Sequence, residues 1–234
     1  TDLDDATFIT AANICDETVG IVGGGTQVRY DANGTIPLNM PRKTAIEQIL
    51  TSCAGYLVFA QGVYKMYAGA YRTPTETLTE SNLSGPIHVS PKVSRSELFN
   101  AVRGQFVNPD AAWQAVDYPA VRNAAYKAED NNEEIFADLA LPFTTNPARA
   151  QRIAKIMLEK SRQSTTVAFP GNLTCFKVQP LDTVMLTIAK LGWVSKVFLC
   201  VGWSFTESGQ VILTLQEEAA SVYTWANGAE TLID

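Results

Sequence analysis

"TVMLTIAKLGWVSKVFLCVGWSFTESGQVILTLQEE", residues 183–218, is the stretch on which the fold turns. It holds three β-prone runs, TVMLTIA, VSKVFLCVGWSF and QVILTLQEE, broken at Gly192 and at Ser208-Gly209. With a side-chain period of two, Val211, Leu213 and Leu215 share one face of the last run and read as core, while Ile212 and Thr214 face the other way. The same alternation places Val201, Trp203 and Phe205 together on a core face. Two earlier runs, TTVAF and TCFKVQ, with breaks at Pro170-Gly171 and Pro180-Leu181-Asp182, extend the series. Short strands joined by tight turns lack the helices that a parallel sheet needs between its strands, so the pattern predicts a mainly antiparallel small barrel or sandwich.

Immediately before this series, "TTNPARAQRIAKIMLEKSRQ" predicts a helix over 147–161. Asn146 can cap it, Pro147 suits its first turn, and Ala150, Ile153, Ala154, Met157 and Leu158 form one apolar stripe. The opposite face, with Arg149, Arg152, Lys155 and Glu159, is expected to meet solvent. Further back, "ELFNAVRGQFVNP" and "AAWQAVDYPAVRN" each read as a strand ending at a turn, and "KAEDNNEE", residues 127–134, reads as a solvated loop. The Thr-, Ser- and Pro-dense stretch 73–96 reads as extended connection and places a domain boundary there.

In the part before that boundary, "MPRKTAIEQILTSCAG" predicts a helix over 41–54, with Pro41 in its first turn, Ala45, Ile46, Ile49, Leu50 and Cys53 at helical spacing, and Gly55 as its stop. The runs YLVFAQ and VYKMYAG, split at Gly62, read as a hairpin. The expected class is therefore α+β: a smaller helix-and-hairpin domain over 1–95, and a barrel-like, mainly antiparallel domain with one packed helix over 96–234. The strand units vary in length and show no fixed period, which excludes a solenoid or propeller.

A chain of 234 residues with 46% hydrophobic and 18% charged side chains can bury a core of ordinary size. Eighteen basic against twenty-four acidic residues, a net charge of -6, disfavour a phosphate-neutralising surface for nucleic acid and a basic membrane patch. No run of eighteen uncharged apolar residues occurs, and the opening "TDLDDATFITAANICDE" lacks the basic-then-apolar order of a signal peptide. Because it starts on Thr1 and on polar residues, the chain is expected to be a piece of something longer. Cys15, Cys53, Cys175 and Cys200 are far apart in apolar surroundings, with His88 the sole histidine, and read as buried free thiols.

The candidate chemistry is sparse. "GIVGGGTQ" lacks the Gly-Lys-Ser/Thr ending and following helix of a phosphate loop and reads as a flexible loop tip. His88, the one histidine open to a nucleophilic mechanism, reads as a surface or strand residue. Glu76 with Glu80 and Glu217 with Glu218 are conceivable acid-base pairs, but adjacent strand residues point to opposite faces, so Glu217-Glu218 reads as a solvated strand end. The segment "DLDD" lacks the spacing and glycine of a calcium loop. Asn33, Asn82 and Asn172 head Asn-x-Ser/Thr triplets that mean little without an export signal. No catalytic, cofactor-binding or metal-binding residue is assigned, and no cofactor is implied.

Several stretches, taken in order, resemble the central hub proteins at the tip of long phage tails, the family typified by the lambda tip attachment protein. "FITAANICDE" is similar to the opening of a hub domain, and "LFNAVRGQFVNPDAAWQ" to a family strand ending in Asn/Asp-Pro and followed by a Trp. "ARAQRIAKIMLEKSRQ" resembles the helix before a β run, "VQPLDTVMLT" a V-x-P-G-D turn with Leu181 in the glycine's place, and "LTLQEEAASVYTW" the exit from the barrel. The resemblance implies a non-enzymatic virion structural protein that supports tail assembly, channel formation and host attachment. It further implies a homotrimeric hub in the full-length protein, contacts with other tail tip and tail tube proteins, no specific nucleic acid, no membrane insertion by this segment, and assembly in the bacterial cytoplasm. Two alternatives stand beside it: a carbohydrate- or receptor-binding module using Trp113, Trp193, Trp203 or Trp225 as stacking platforms, and a peptidoglycan hydrolase.

Overall fold

The alternating runs of the second half form strands, and the alternation decides what they bury. The computed structural model describes residues 2–91 and 98–232. In chain order the chain forms α1 (Asp5–Asp16), β1 (Thr18–Gly20), β2 (Thr26–Val28), α2 (Arg42–Thr51), β3 (Tyr56–Ala60) and β4 (Val63–Tyr67). There follow β5 (Glu76–Thr79), β6 (His88–Ser90), β7 (Ala101–Arg103), β8 (Gln105–Asn108), β9 (Gln114–Asp117) and β10 (Val121–Arg122). The remainder is α3 (Ala124–Glu129), β11 (Phe136–Asp138), α4 (Pro147–Arg162), β12 (Thr166–Gly171), β13 (Thr183–Ile188), β14 (Trp193–Phe205) and β15 (Val211–Glu217). The fold is α+β, as expected.

Backbone proximity groups the chain into two units, each drawn from non-adjacent segments. The first comprises Thr1–Ala70, Phe99–Glu159 and Tyr223–Asp234; the second comprises Tyr71–Leu98 and Lys160–Val222. The expected boundary between residues 95 and 96 lies outside the described residues.

The second unit is built on one six-stranded sheet in the order β5-β13-β14-β15-β12-β6. All its pairings are antiparallel except β5 with β13. Among the described residues no sheet closes on itself, which corrects the expected barrel: β5 and β6 each pair on one side only. Both come from the stretch read as mere connection, so that reading is corrected too. These strands have four and three residues, and Pro86 and Pro91 flank β6 without an N–H to offer a further partner.

One face of this sheet carries the core. Cross-strand pairs Val167–Leu215, Phe169–Leu213, Val184–Phe198 and Leu78–Leu186 point the same way and are fully buried. Val211, Leu213 and Leu215 lie on that face, as the period of two required. Val201 does not: Cys200 pairs with Leu215, Gly202 with Thr214 and Trp203 with Leu213, so a bulge leaves Val201 as the extra residue. Cys200 is therefore buried in the core while Val201 is 43% exposed. Between Val178 and Thr183 the turn uses Leu181 at φ 70°, the left-handed conformation that glycine adopts freely. The Asp182 carboxylate accepts the Gln179 N–H at 2.8 Å, holding that turn from within.

In the first unit α2 ends three residues short of the 54 that its spacing predicts. Ala54 takes the left-handed φ of 47°. Gly55 is required for a different reason: a Cβ there would lie 2.9 Å from the Tyr67 carbonyl and 2.6 Å from Cys53 Sγ. The β3–β4 hairpin forms as read, with Gln61 and Gly62 at φ 54° and 82° closing a two-residue turn. A helix unread in the sequence, α1, is capped by Asp4, whose carboxylate accepts the Thr7 N–H. The run read as one strand from Leu98 is two, β7 and β8, and β7 centres a small sheet in the order β10-β7-β11. The "KAEDNNEE" stretch is not a free loop. Its first residues belong to α3, and buried Asn100 donates to Asp130 and to the Glu133 carbonyl while accepting the Ile135 N–H.

Helix α4 is capped by Asn146, which accepts the N–H groups of Ala148 and Arg149. Its expected solvent face is overturned by burial: Arg149, Gln151 and Arg152 are buried with Ala150, Ile153 and Ala154. The cause is cover from two segments of the same unit. Arg149 bonds Val28 and Asp31, Arg152 bonds the Arg29 carbonyl, and Gln151 and Lys155 bond the segment 223–232.

Candidate functional site

The acidic residues considered as acid-base pairs are already committed elsewhere. Glu76 is ion-paired with Lys177 at the start of β5, and Glu80 accepts the Lys190 N–H, so the two carboxylates serve different partners. Glu217 lies on the core-facing side of β15 and pairs with Lys196 at 2.9 Å. That ammonium sits over Trp193 and Phe198, at 5.1 and 5.6 Å from their centroids, so the ion pair rims the core. Burial pushes the Glu217 carboxyl up, but the Thr165 hydrogen bond and Lys196 outweigh it and hold it below the ordinary carboxylate value. Glu218 is buried. The reading of this pair as a solvated strand end is thereby corrected: Glu217 rims the packed face and Glu218 is buried, its carboxylate accepting the Ala219 N–H.

His88 is exposed on β6 opposite Ala168, a strand histidine as read. Gly23, Gly24 and Gly25 take φ of 82°, 89° and 98° at the tip of the β1–β2 hairpin, with open space beside each, a loop tip and not a phosphate cradle. Asn82 and Asn172 serve structure, Asn82 accepting the Thr79 N–H and Asn172 the Thr174 N–H. All four cysteines are free; Cys53, Cys175 and Cys200 are buried, while Cys15 is half-buried. Among the described residues no group of three or more His, Cys, Asp or Glu is placed to hold a metal. No described helix is long and apolar enough to cross a membrane.

Each tryptophan has its own surroundings within its unit. Trp193 tilts against Phe198, Trp203 meets Phe176 edge-on, and Trp225 lies under the Arg152 guanidinium. Trp113, 60% exposed, sits on the β8–β9 turn at φ 61°, with no ring contact among the described residues.

A cleft of about 480 Å³ opens in the first unit beside Gly104, lined by Arg103, Asp117, Tyr118 and Asp138 among others. Some of its polar side chains are engaged locally. Arg103 pairs with Asp138 at 2.8 Å, and the Tyr118 hydroxyl donates to the Leu139 carbonyl at 3.2 Å. Burial first, and then the Asp138 charge, push that phenol above its ordinary value, so it is no general base near neutrality.

The feature that sequence periodicity did not disclose is an apolar rim on the second unit. The 3-10 turn 173–177 lies over the end of the core face, where Cys175 is buried. Phe176 stacks edge-on with Trp203 at 5.4 Å and with Phe205 at 5.9 Å. Trp203 is packed against the core beneath, yet Phe176 and Phe205 remain half exposed and Leu173 is 63% exposed. Phe176, Trp203 and Phe205 thus form one ring cluster with two members half exposed, on the side of the sheet where the turn also carries Leu173. The run TCFKVQ was read as a strand; it is this turn, because Asn172 caps it and Cys175 anchors it.

Comparison with known proteins assigns the fold. The chain is 26% identical over 178 residues to the baseplate hub protein pb3 of Escherichia phage T5, covering 76% of this chain and 18% of that protein. It superposes on a chain from the virion of a native gene transfer agent particle with a TM-score of 0.65 and 16% identity, over 98% of this chain and 49% of the other. A 43 kDa tail protein of prophage MuSo2 from Shewanella oneidensis matches at a TM-score of 0.48 and 10% identity, over 78% of this chain and 54% of the other. The chain thus spans less than a fifth of the curated relative and about half of each solved one. The model of the family described as "Putative phage tail protein" matches residues 42–224, and the chain belongs to that family of phage tail proteins.

Proposed function

We propose that the chain is a structural piece of the central hub at the tip of a phage or prophage tail, supporting tail assembly, channel formation and host attachment. The observation that carries this reading is the identity shared with a baseplate hub protein across three quarters of the chain. In this role the protein works through its surfaces and not through turnover, and no residue has a catalytic, cofactor or metal task. The Leu173–Phe176–Phe205 rim is the surface that a neighbouring tail subunit covers, and burying such side chains is what drives association between subunits. The full-length protein is a homotrimer in contact with other tail tip and tail tube proteins, assembled in the bacterial cytoplasm and carried in the virion.

Immunogold labelling of assembled particles with antibody raised to this segment tests the placement: label at one end of the tail is expected, and label along the tube or none on the particle would sink it. Native mass spectrometry of the full-length protein tests the trimer. Replacing Phe176 and Phe205 by Asp should leave the purified protein folded but keep it out of particles; normal incorporation would remove the rim from the reading. Turnover of purified cell wall, lost on changing one carboxylate, would overturn the non-enzymatic role.

A further inference from the structure

Arg152 of α4 is 1% exposed and carries an unfinished hydrogen-bond set. Its Nη1 donates to the Arg29 carbonyl at 2.6 Å, and its guanidinium lies 5.6 Å from the centroid of the Trp225 ring. Its Nε and Nη2 are buried and meet no hydrogen-bond partner. These two nitrogens are the adjacent edge of the guanidinium, the fork that takes both oxygens of a carboxylate side-on.

A carboxylate in a complementary condition lies in the same unit. Glu230 is 8% exposed; its Oε1 accepts the Val22 N–H at 2.5 Å, while its Oε2 is buried without a partner. The two groups are sequence neighbours of the bonded pair Gln151 and Thr231, and burial lowers the Arg152 guanidinium to about 10 with the Glu230 charge among the influences opposing that shift. No ion pair joins them among the described residues.

Glu230 lies in a segment without regular secondary structure. Beyond the 3-10 turn ending at Tyr223, residues 224–232 form no helix or strand. The Lys155 ammonium donates to the Thr224 carbonyl at 2.9 Å. The Gln151 carboxamide donates to the Thr231 carbonyl and accepts the Thr231 N–H, both at 2.8 Å. These are side-chain ties from one helix, and Asn227 and Gly228 pack beside Gly20 and Val22.

We propose that Arg152 is the latch of a two-state strap: residues 223–232 shift against α4 so that Glu230 leaves the Val22 amide and seats both carboxylate oxygens on Nε and Nη2 of Arg152. In the locked state both buried charges are paired. In the present state Gln151, Lys155 and Val22 are among the groups that hold the strap, and the fork stays open. Leaving buried donors unpaired is costly, and a charged fork is among the stronger hydrogen bonds available, so the lock has a driving force the open state lacks.

Hydrogen exchange of the full chain, followed by mass spectrometry on peptides covering 223–232, reads the strap. Arg152→Lys keeps the charge and removes the fork; Glu230→Gln removes the charge and keeps the Val22 bond. Each should speed strap exchange by about tenfold or more, and the double variant should go no further than either alone, since both remove one interaction. Additive effects, or unchanged exchange, would overturn the latch. Should Arg152→Lys fail to fold, Val22→Pro decides: Val22 is the second residue of the turn closed by the Gly24 N–H on the Ile21 carbonyl, a position that favours proline. Losing that amide frees Glu230 for the lock, so strap exchange should slow; unchanged or faster exchange would overturn the proposal.

Discussion

Placing the same aspartate at two neighbouring positions of β14 tests the bulge that sets the core face. Strict alternation puts residue 201 in the core with Trp203 and Phe205; the observed register puts residue 200 there. Cys200 is fully buried, and burial, with the Asp182 charge behind it, pushes its thiol from 9.0 up to about 12. Three pH units correspond to about 4 kcal/mol at 1.36 kcal/mol per unit, the order of cost this site sets on a negative charge. An aspartate in Cys200→Asp meets the same refusal: it must stay charged in an apolar core or take up a proton against its ordinary pKa, and either route costs about 4 kcal/mol at pH 7. Val201→Asp places the carboxylate on a half-exposed site, where the loss is chiefly strand preference, about 1 kcal/mol. Urea unfolding followed by far-ultraviolet circular dichroism should show a gap of about 3 kcal/mol between the two, and so a midpoint lower by about 1 M or more for Cys200→Asp. Cys200→Ala controls for loss of the thiol alone and should cost about 1 kcal/mol. A Val201→Asp midpoint equal to or below that of Cys200→Asp would refute the register.

Leu181→Gly should raise the unfolding free energy by up to about 1 kcal/mol, because a half-buried leucine is held at φ 70° where glycine carries no strain; a fall would mean that the side chain's packing outweighs its backbone cost. Glu217 titrates below the ordinary carboxylate value, so its contribution is complete above that value and is lost as pH falls through the folded one. Glu217→Gln should therefore flatten the acid limb of stability below about pH 5, by no more than about 1 kcal/mol since the pair is part-exposed, and an unchanged slope between pH 5 and 3 would count against the ion pair. With iodoacetamide at pH 8, Cys15 should be alkylated first, its thiol being lowered chiefly by a hydrogen bond with Cys53. Burial pushes Cys175 and Cys200 up, and the Cys15 contact with burial pushes Cys53 up. Peptide mapping that finds all four labelled together in the folded chain would contradict this.

What the sequence made legible follows from what each signal measures. Period-two spacing reports which residues share a face, so Leu213 and Leu215 were placed correctly, but a bulge adds one residue without changing composition and moved Val201 out. Turn chemistry reports local conformation: Gln61-Gly62 and Asn146-Pro147 act within a few residues and were read correctly, and Asp182 holds its turn even with leucine in the glycine's place. Thr- and Pro-rich composition does not exclude strands, because β5 and β6 need a partner on one side only, and the long neighbours β13 and β12 supply it.

Helix α4 shows why the candidate sites were the least legible. An arginine stripe on an amphipathic helix is ordinarily the wet face, and nothing local to 147–162 says otherwise. The cover comes from Arg29 and Asp31, more than a hundred residues earlier, and from Thr231, eighty residues later. Burial of Arg152 is thus a property of three distant segments meeting. The same holds for the apolar rim: Phe176 and Phe205 lie 29 positions apart and become one surface only because the sheet register brings the end of β14 under the 173–177 turn. Local rules could place each of these residues on an element, but what the protein offers to another chain is decided by contacts between elements, which no window along the sequence contains.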